Sequence, residues 1–150
     1  MTKGARYCLA NYNLSIVVPT SINIGVNSIS IGGEGSYLDS INISRNTNLF
    51  ETAADSTGSW IHTKNLDKSG TVSITINQVS DKIVLFKALM KAYYNSDDKV
   101  EGLSLTVLDG SANPIVVCND CLLTNIPEQS FSSSPTTQTW TFTCGQIEFI

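Results

Sequence analysis

Residues Gly70 to Asn95 constrain the fold more than any other stretch, because a strictly alternating segment passes there into the one convincing helical pattern of the chain. Val72, Ile74 and Ile76 alternate with Thr71, Ser73, Thr75 and Asn77, and side chains of an extended backbone point alternately to opposite faces. One face is therefore apolar and the other rich in hydroxyls. Ser80 is predicted as the N-cap of a helix over about 80 to 95, its hydroxyl accepting from a free amide, with Asp81 in the first turn complementing the positive end of the helix dipole. At about 100° per residue, Ile83, Leu85, Phe86, Leu89, Met90, Ala92 and Tyr93 fill more than half the circumference, leaving a polar edge at Lys87 and Lys91. A stripe of roughly 100° is enough to cover one sheet. The surplus implies a helix buried on two sides, or one that meets another subunit.

The remainder reads as β structure. Tyr7 to Val18 is the first predicted strand, with Leu14, Ile16 and Val18 on one face, and Pro19 ends it. A short strand is expected at Ser28 to Ile31, followed by a turn at Gly32, Gly33 and Gly35, since glycine tolerates the left-handed backbone of a reversal. Only Glu34 interrupts that cluster and no helix follows it, so a hairpin turn is favoured over a phosphate-cradling loop. Tyr37 to Ser44 alternates again. Leu49-Phe50 and Trp60-Ile61 flank Asp55-Ser56-Thr57-Gly58, a turn sequence, which predicts a hairpin over about 48 to 65 whose large side chains must lean on something else, because a lone hairpin is marginal in water. A polar exit loop at Asp97, Asp98 and Lys99 lacks the ordered oxygens of a calcium site. Strands are expected at Leu103 to Leu108 and Ile115 to Ile126, punctuated by Asp109-Gly110 and Pro127. After a loop at Ser130 to Pro135, the last strand sets Gln138, Trp140, Phe142 and Cys144 against Thr137, Thr139, Thr141 and Thr143. The expected fold is mainly β: a single domain over 1–150, built as a two-sheet antiparallel β-sandwich or barrel with one flanking α-helix.

Composition narrows the function. Charged residues are 15% of the chain, against about 25% in typical soluble proteins, and nearly a third of all residues are Ser, Thr or Asn. Such a polar but uncharged surface suits a subunit covered by identical neighbours. The net charge of −4 arises entirely in the last third, where Glu101, Asp109, Asp120, Glu128 and Glu148 face no Lys or Arg. Nucleic-acid binding through a basic patch is disfavoured, since phosphate neutralisation needs clustered cations. No segment approaches the roughly 18 apolar residues of a membrane span, and the N-terminal region has no continuous apolar run, so a soluble chain made without a signal peptide is expected.

Cys118-Asn119-Asp120-Cys121 has C-x-x-C spacing, but zinc needs two further ligands, His62 is the only histidine, and neither Cys8 nor Cys144 has a partner cysteine nearby in sequence. A redox motif belongs at a helix start, where the thiol pKa falls, and this one lies in a β segment. His62 sits beside Trp60 and Ile61 with no nucleophile elbow to complete a triad. No catalytic residues, metal or cofactor are assigned, and the expectation is a non-enzyme.

The chain resembles the tail tube proteins of contractile-tailed bacteriophages. The resemblance is carried by Trp60-Ile61-His62-Thr63, by Lys68-Ser69-Gly70 running into the strand to Ile76, by the helix, by Ile115-Val116-Val117-Cys118, and by the ending Trp140-Thr141-Phe142-Thr143-Cys144-Gly145-Gln146-Ile147. It implies hexameric rings whose inner strands join into one barrel, stacked as a conduit for DNA, and relatives in type VI secretion and contractile bacteriocins. It also implies as partners the tail sheath, baseplate hub and tape measure protein, with DNA as transiting cargo and no membrane insertion. The setting implied is the virion tail, assembled in the bacterial host cytoplasm. Inter-subunit candidates are Leu49, Phe50, Trp60 and Ile61 of the hairpin and Met90 and Tyr93 of the helix. Lumen candidates are Thr71, Ser73, Thr75, Thr137, Thr139, Thr141 and Thr143, with the acidic last third adding negative potential there. The competing classes are a monomeric sugar- or protein-binding β-sandwich using Trp60 and Tyr37, and an enzyme built on the C-x-x-C.

Overall fold

The structure is a computed structural model that describes residues 4–33, 35–96 and 100–150. Glu34 of the glycine turn and the exit loop at Asp97, Asp98 and Lys99 lie outside the described residues. Among those described run β1 (Asn13–Val17), β2 (Ser28–Ile31), β3 (Leu38–Arg45), β4 (Phe50–Ala54), β5 (Trp60–Lys64), β6 (Gly70–Asn77), α1 (Ile83–Asn95), β7 (Leu103–Leu108), β8 (Pro114–Asn125) and β9 (Thr137–Phe149). Strands β4 and β5 form a separate two-stranded ribbon, and the other seven make one antiparallel sheet in the order β2-β1-β7-β8-β9-β6-β3.

Six strands of the large sheet bury apolar side chains on one face, Ile29 and Ile31, Leu14 and Ile16, Leu103 and Leu105, Cys118 and Cys121, Trp140 and Phe142, and Ile74 and Ile76, and Ile41 and Ile43 of β3 are half-buried against them. A sheet with one apolar face seals it either by curling or by acquiring a cover, and this chain does both. Edge strand β3 stands four places from β7 in the ladder, about 19 Å along a flat sheet at ~4.8 Å per strand. Yet Ile41 and Ile43 of β3 line one groove with Val107 of β7 and Val116 of β8. The expected sandwich is thus one curled sheet whose β3 edge folds back toward β7 and β8. Helix α1 covers it, with the Phe86 ring 5.3 Å from Trp140 and 6.1 Å from Phe142.

The long strands β8 and β9 turn together where Asp120, with φ 55°, comes opposite Gly145. Cys118 pairs with Ile147 on one side of this bend and Cys121 with Cys144 on the other. The bend resets the alternation, so residues three apart, Cys118 and Cys121, both point inward, as do Cys144 and Ile147. Arg45 ties the β3 edge to the far end of β9, donating to the Ile147 carbonyl at 2.8 Å and lying 5.3 Å over the Phe149 ring.

Boundaries differ from the sequence reading at both ends of the chain and at the helix, the last strand running on past Cys144 to Phe149. The first strand begins at Asn13 rather than Tyr7, and Leu9–Asn11 form a 3-10 turn. Its neighbours β2 and β7 extend only far enough to pair with residues 13–17, so earlier residues have no ladder to join. The helix begins at Ile83 rather than Ser80, with Lys82 at the cap position and no acidic residue in its first turn. Buried Ser80 does accept from a backbone amide, that of Lys82 at 3.2 Å, but it closes a turn ahead of the helix. Asp81 is held there too, its amide donating to the Gly35 carbonyl, which leaves its carboxylate outside the helix.

Candidate assembly surfaces

Three surfaces stand apart from the core. The first is the β4–β5 ribbon, in which all ten strand residues are exposed. Asp55 builds its turn: the carboxylate accepts from the Thr57 hydroxyl at 2.7 Å and from the amides of Thr57 and Ser59. The Thr57 side-chain and backbone bonds hold the Asp55 carboxyl below its ordinary value. At the base, the Asn46 side chain donates to the Ser69 hydroxyl, the Thr47 hydroxyl reaches Asp67, and the Asn65 amide donates to the Leu49 carbonyl. These contacts fix the ribbon's exit from the sheet. The register pairs Ala54 with Trp60, Thr52 with His62 and Phe50 with Lys64 on one face, and Ala53 with Ile61 on the other. Trp60 and Ile61 are 67% and 70% exposed and point to opposite sides, so each side of the ribbon exposes a large apolar side chain. His62 does no more here than share a 2.8 Å hydrogen bond with Thr52.

The second surface is the outer face of β3, β6 and β9. All seven sequence-predicted hydroxyl residues lie on it, and the register sets them in rows: Thr71 opposite Thr143, Ser73 opposite Thr141, Thr75 opposite Thr139 and Asn77 opposite Thr137. Ser40, Asn42 and Ser44 continue the rows onto β3. Hydroxyls bond across strands, Thr75 to Thr139 at 3.0 Å and Thr124 to Thr143 at 3.0 Å. None of these paired positions carries a charge. The acids of the last third are scattered: Glu148 meets Lys68 at 3.6 Å, Asp109 accepts from Ser111 and Asn113 within its own turn, and Asp120 sits at the β8–β9 bend.

The third surface is the outside of α1. Ile83, Phe86 and Leu89 are buried, while Met90 and Tyr93 are half-buried in a groove with Leu123, Thr124 and Ile126. Burial pushes the Tyr93 hydroxyl up to about 12. The helical wheel passed over Val84 and Tyr94, which are 70% and 76% exposed; they fall outside the arc that the sheet covers, and only the packing reveals this. Lys91 is exposed and Lys87 half-buried.

The cysteines are the feature that linear spacing missed. Cys144 has no neighbouring cysteine in sequence, yet its Sγ lies 2.6 Å from that of Cys121, and Cys118 is buried on the same face. The alternating pattern that set Cys144 on the apolar face of the last strand was the available signal. Among the described residues, no group of His, Cys, Asp and Glu is arranged to hold a metal ion, and no helix is long and apolar enough to cross a membrane.

A curled antiparallel sheet closed by one helix and carrying a free ribbon is a fold shared with chains of contractile injection systems. The chain is similar, with a TM-score of 0.59 and 13% identity over 97% of its length and 93% of the other's, to a chain of an extracellular contractile injection system, the PVC sheath-tube complex in its extended state. It is similar also to a chain of the PVC sheath/tube terminator, at a TM-score of 0.58 and 15% identity, covering 98% of each. A chain of the 6-fold symmetrised anti-feeding prophage baseplate matches at a TM-score of 0.52 and 9% identity, over 100% of this chain and 97% of the other. A search of curated protein sequences returned no match. The chain belongs to the bacteriophage PhiTE tail tube protein family, whose model matches residues 6–150.

Proposed function

We propose that this tail tube protein polymerises as stacked hexameric rings into the conduit through which a phage delivers DNA. The observation that carries the reading is the β4–β5 ribbon, an exposed two-stranded element with Trp60 and Phe50 on one side and Ile61 on the other. An element too small to bury its own aromatics, with a large apolar side chain exposed on each side, finds cover between neighbouring subunits. Leu49, Phe50, Trp60 and Ile61 are the contacts of that interface, and Met90 and Tyr93, with Val84 and Tyr94, are those of the helix side.

The hydroxyl rows of Thr71, Ser73, Thr75, Thr137, Thr139, Thr141 and Thr143 line the lumen in this reading. A wet wall without cations offers phosphates no counter-charge, so DNA slides. The 6-fold symmetry of the similar baseplate assembly supports the ring number and a baseplate hub as end partner, and the similar sheath-tube and sheath/tube terminator complexes support a sheath as outer partner. The tape measure protein and DNA are the lumen's contents, and the particle is a virion tail assembled in the host cytoplasm. The likeness to extracellular injection systems favours one second reading, the tube of a contractile particle that carries no genome.

Size exclusion at rising concentration followed by negative-stain microscopy tests the proposal. Rings or tubes are expected, and a strict monomer at every concentration overturns it. Packaged DNA in purified particles separates the phage from the genome-free alternative.

A further inference from the structure

The inward cysteines are a cluster that the assembly reading does not use. Cys118, Cys121 and Cys144 are sealed from solvent, whereas Cys8 is exposed. Cys121 and Cys144 stand directly opposite each other in the β8–β9 ladder and point to the same side. Opposed residues of antiparallel strands hold their Cα atoms about 4.5 to 5.5 Å apart, inside the roughly 4.4 to 6.8 Å that a disulfide bridges. Their sulfurs already touch at 2.6 Å. Cys118 is opposite Ile147, so it has no cysteine across the strand.

We propose that Cys121 and Cys144 are a modification site: a dithiol that a low-molecular-weight disulfide closes into a cross-strand bond locking β8 to β9, while Cys118 remains a thiol. One thiolate of the pair attacks the reagent disulfide and expels one reagent thiolate, leaving a mixed disulfide. The second thiol loses its proton to water, attacks the protein sulfur and expels the other reagent thiolate. Two S–H bonds are lost, one protein S–S bond forms, and the two electrons leave with the reagent, now two thiols. Proximity of the three sulfurs pushes the Cys121 and Cys144 thiols up and that of Cys118 down; the pair reacts once the β8–β9 ladder opens to water, and Cys118 has no cysteine opposite it to close onto. A reducing cytosol keeps such a pair open, and an oxidising exterior closes it. That setting rests on the tube reading; the bond itself does not.

The test uses the full chain carrying Cys8→Ser, which removes pairing between chains, incubated with oxidised glutathione and then unfolded in acid and alkylated. Since no Lys or Arg follows Lys99, digestion is directed to acidic residues, and cuts before Asp120 and after Glu128 place the three cysteines on separate peptides. The expected product joins the Cys121 peptide to the Cys144 peptide with Cys118 alkylated, and reductant reverses it. Adding Cys118→Ala leaves the product unchanged, and adding Cys144→Ala abolishes it. A bond that includes Cys118, glutathione retained on a single cysteine, or three alkylated thiols after prolonged oxidation overturns the proposal. None of these results depends on whether tubes form.

Discussion

Changing Trp60 to serine is expected to leave the free chain folded while raising the concentration needed for assembly. Trp60 keeps 67% of its surface exposed, and a tryptophan buries roughly 150–250 Å² when fully packed, so about 130 Å² awaits a neighbour. At about 25 cal/mol per Å² that area contributes about 3 kcal/mol to each subunit's association, or about 150-fold in an assembly constant at ~1.4 kcal/mol per tenfold. Inside the free chain Trp60 opposes only Ala54 on the ribbon, so folding stability shifts by no more than about 0.5 kcal/mol. Two measurements separate these effects: the concentration at which pelletable polymer appears, and the thermal midpoint of unassembled chain. Adding Leu49→Ser deepens the assembly defect, because Leu49 at the ribbon's base is 55% exposed. Normal polymerisation of the double variant at wild-type concentrations refutes the reasoning, as does a loss of fold stability large enough to explain the defect.

Deleting Asp55 to Gly58 and rejoining the strands should spare the large sheet, visible as an unchanged unfolding midpoint, and weaken polymerisation in the same pelleting assay. Phe86→Ala removes the ring wedged against Trp140 and Phe142 and is expected to cost about 3–5 kcal/mol in denaturant unfolding. Gly70→Ala drives a methyl into the Ser44 carbonyl and the Ile147 side chain; a loss of about 1–3 kcal/mol is expected, and an unaltered midpoint would show that the β3–β6 contact yields freely. Asp55 has a lowered carboxyl pKa, so its hold on the turn is complete above the ordinary value of 3.8 and fades as pH falls through the depressed one. Carboxyl chemical shifts should show Asp55 titrating below 3.8, with the Thr57 and Ser59 amide resonances moving in step.

Local pattern was enough to place most strands, because period-two alternation reports which face of a strand is dry wherever one side is buried. It thereby placed Val72, Ile74, Ile76, Trp140 and Phe142 in the core and the seven hydroxyl residues on the opposite face. Element ends were less legible. Asn13 starts its strand because that is where β2 and β7 offer partners, and Ser80 precedes the helix because the chain spends another turn against Gly35. Both are decisions of neighbours distant in sequence.

Composition and local alternation dictate a β-rich, charge-poor chain with one helix and a ribbon too small to bury its own aromatics, since these are consequences of nearest-neighbour geometry. The tertiary structure alone decided that the two expected layers are one curled sheet, that the Thr rows of β6 and β9 stand side by side in register, and that Cys144 meets Cys121. Each of these depends on a pairing between strands, and a single chain of letters carries the face of a strand but not the identity of its neighbour.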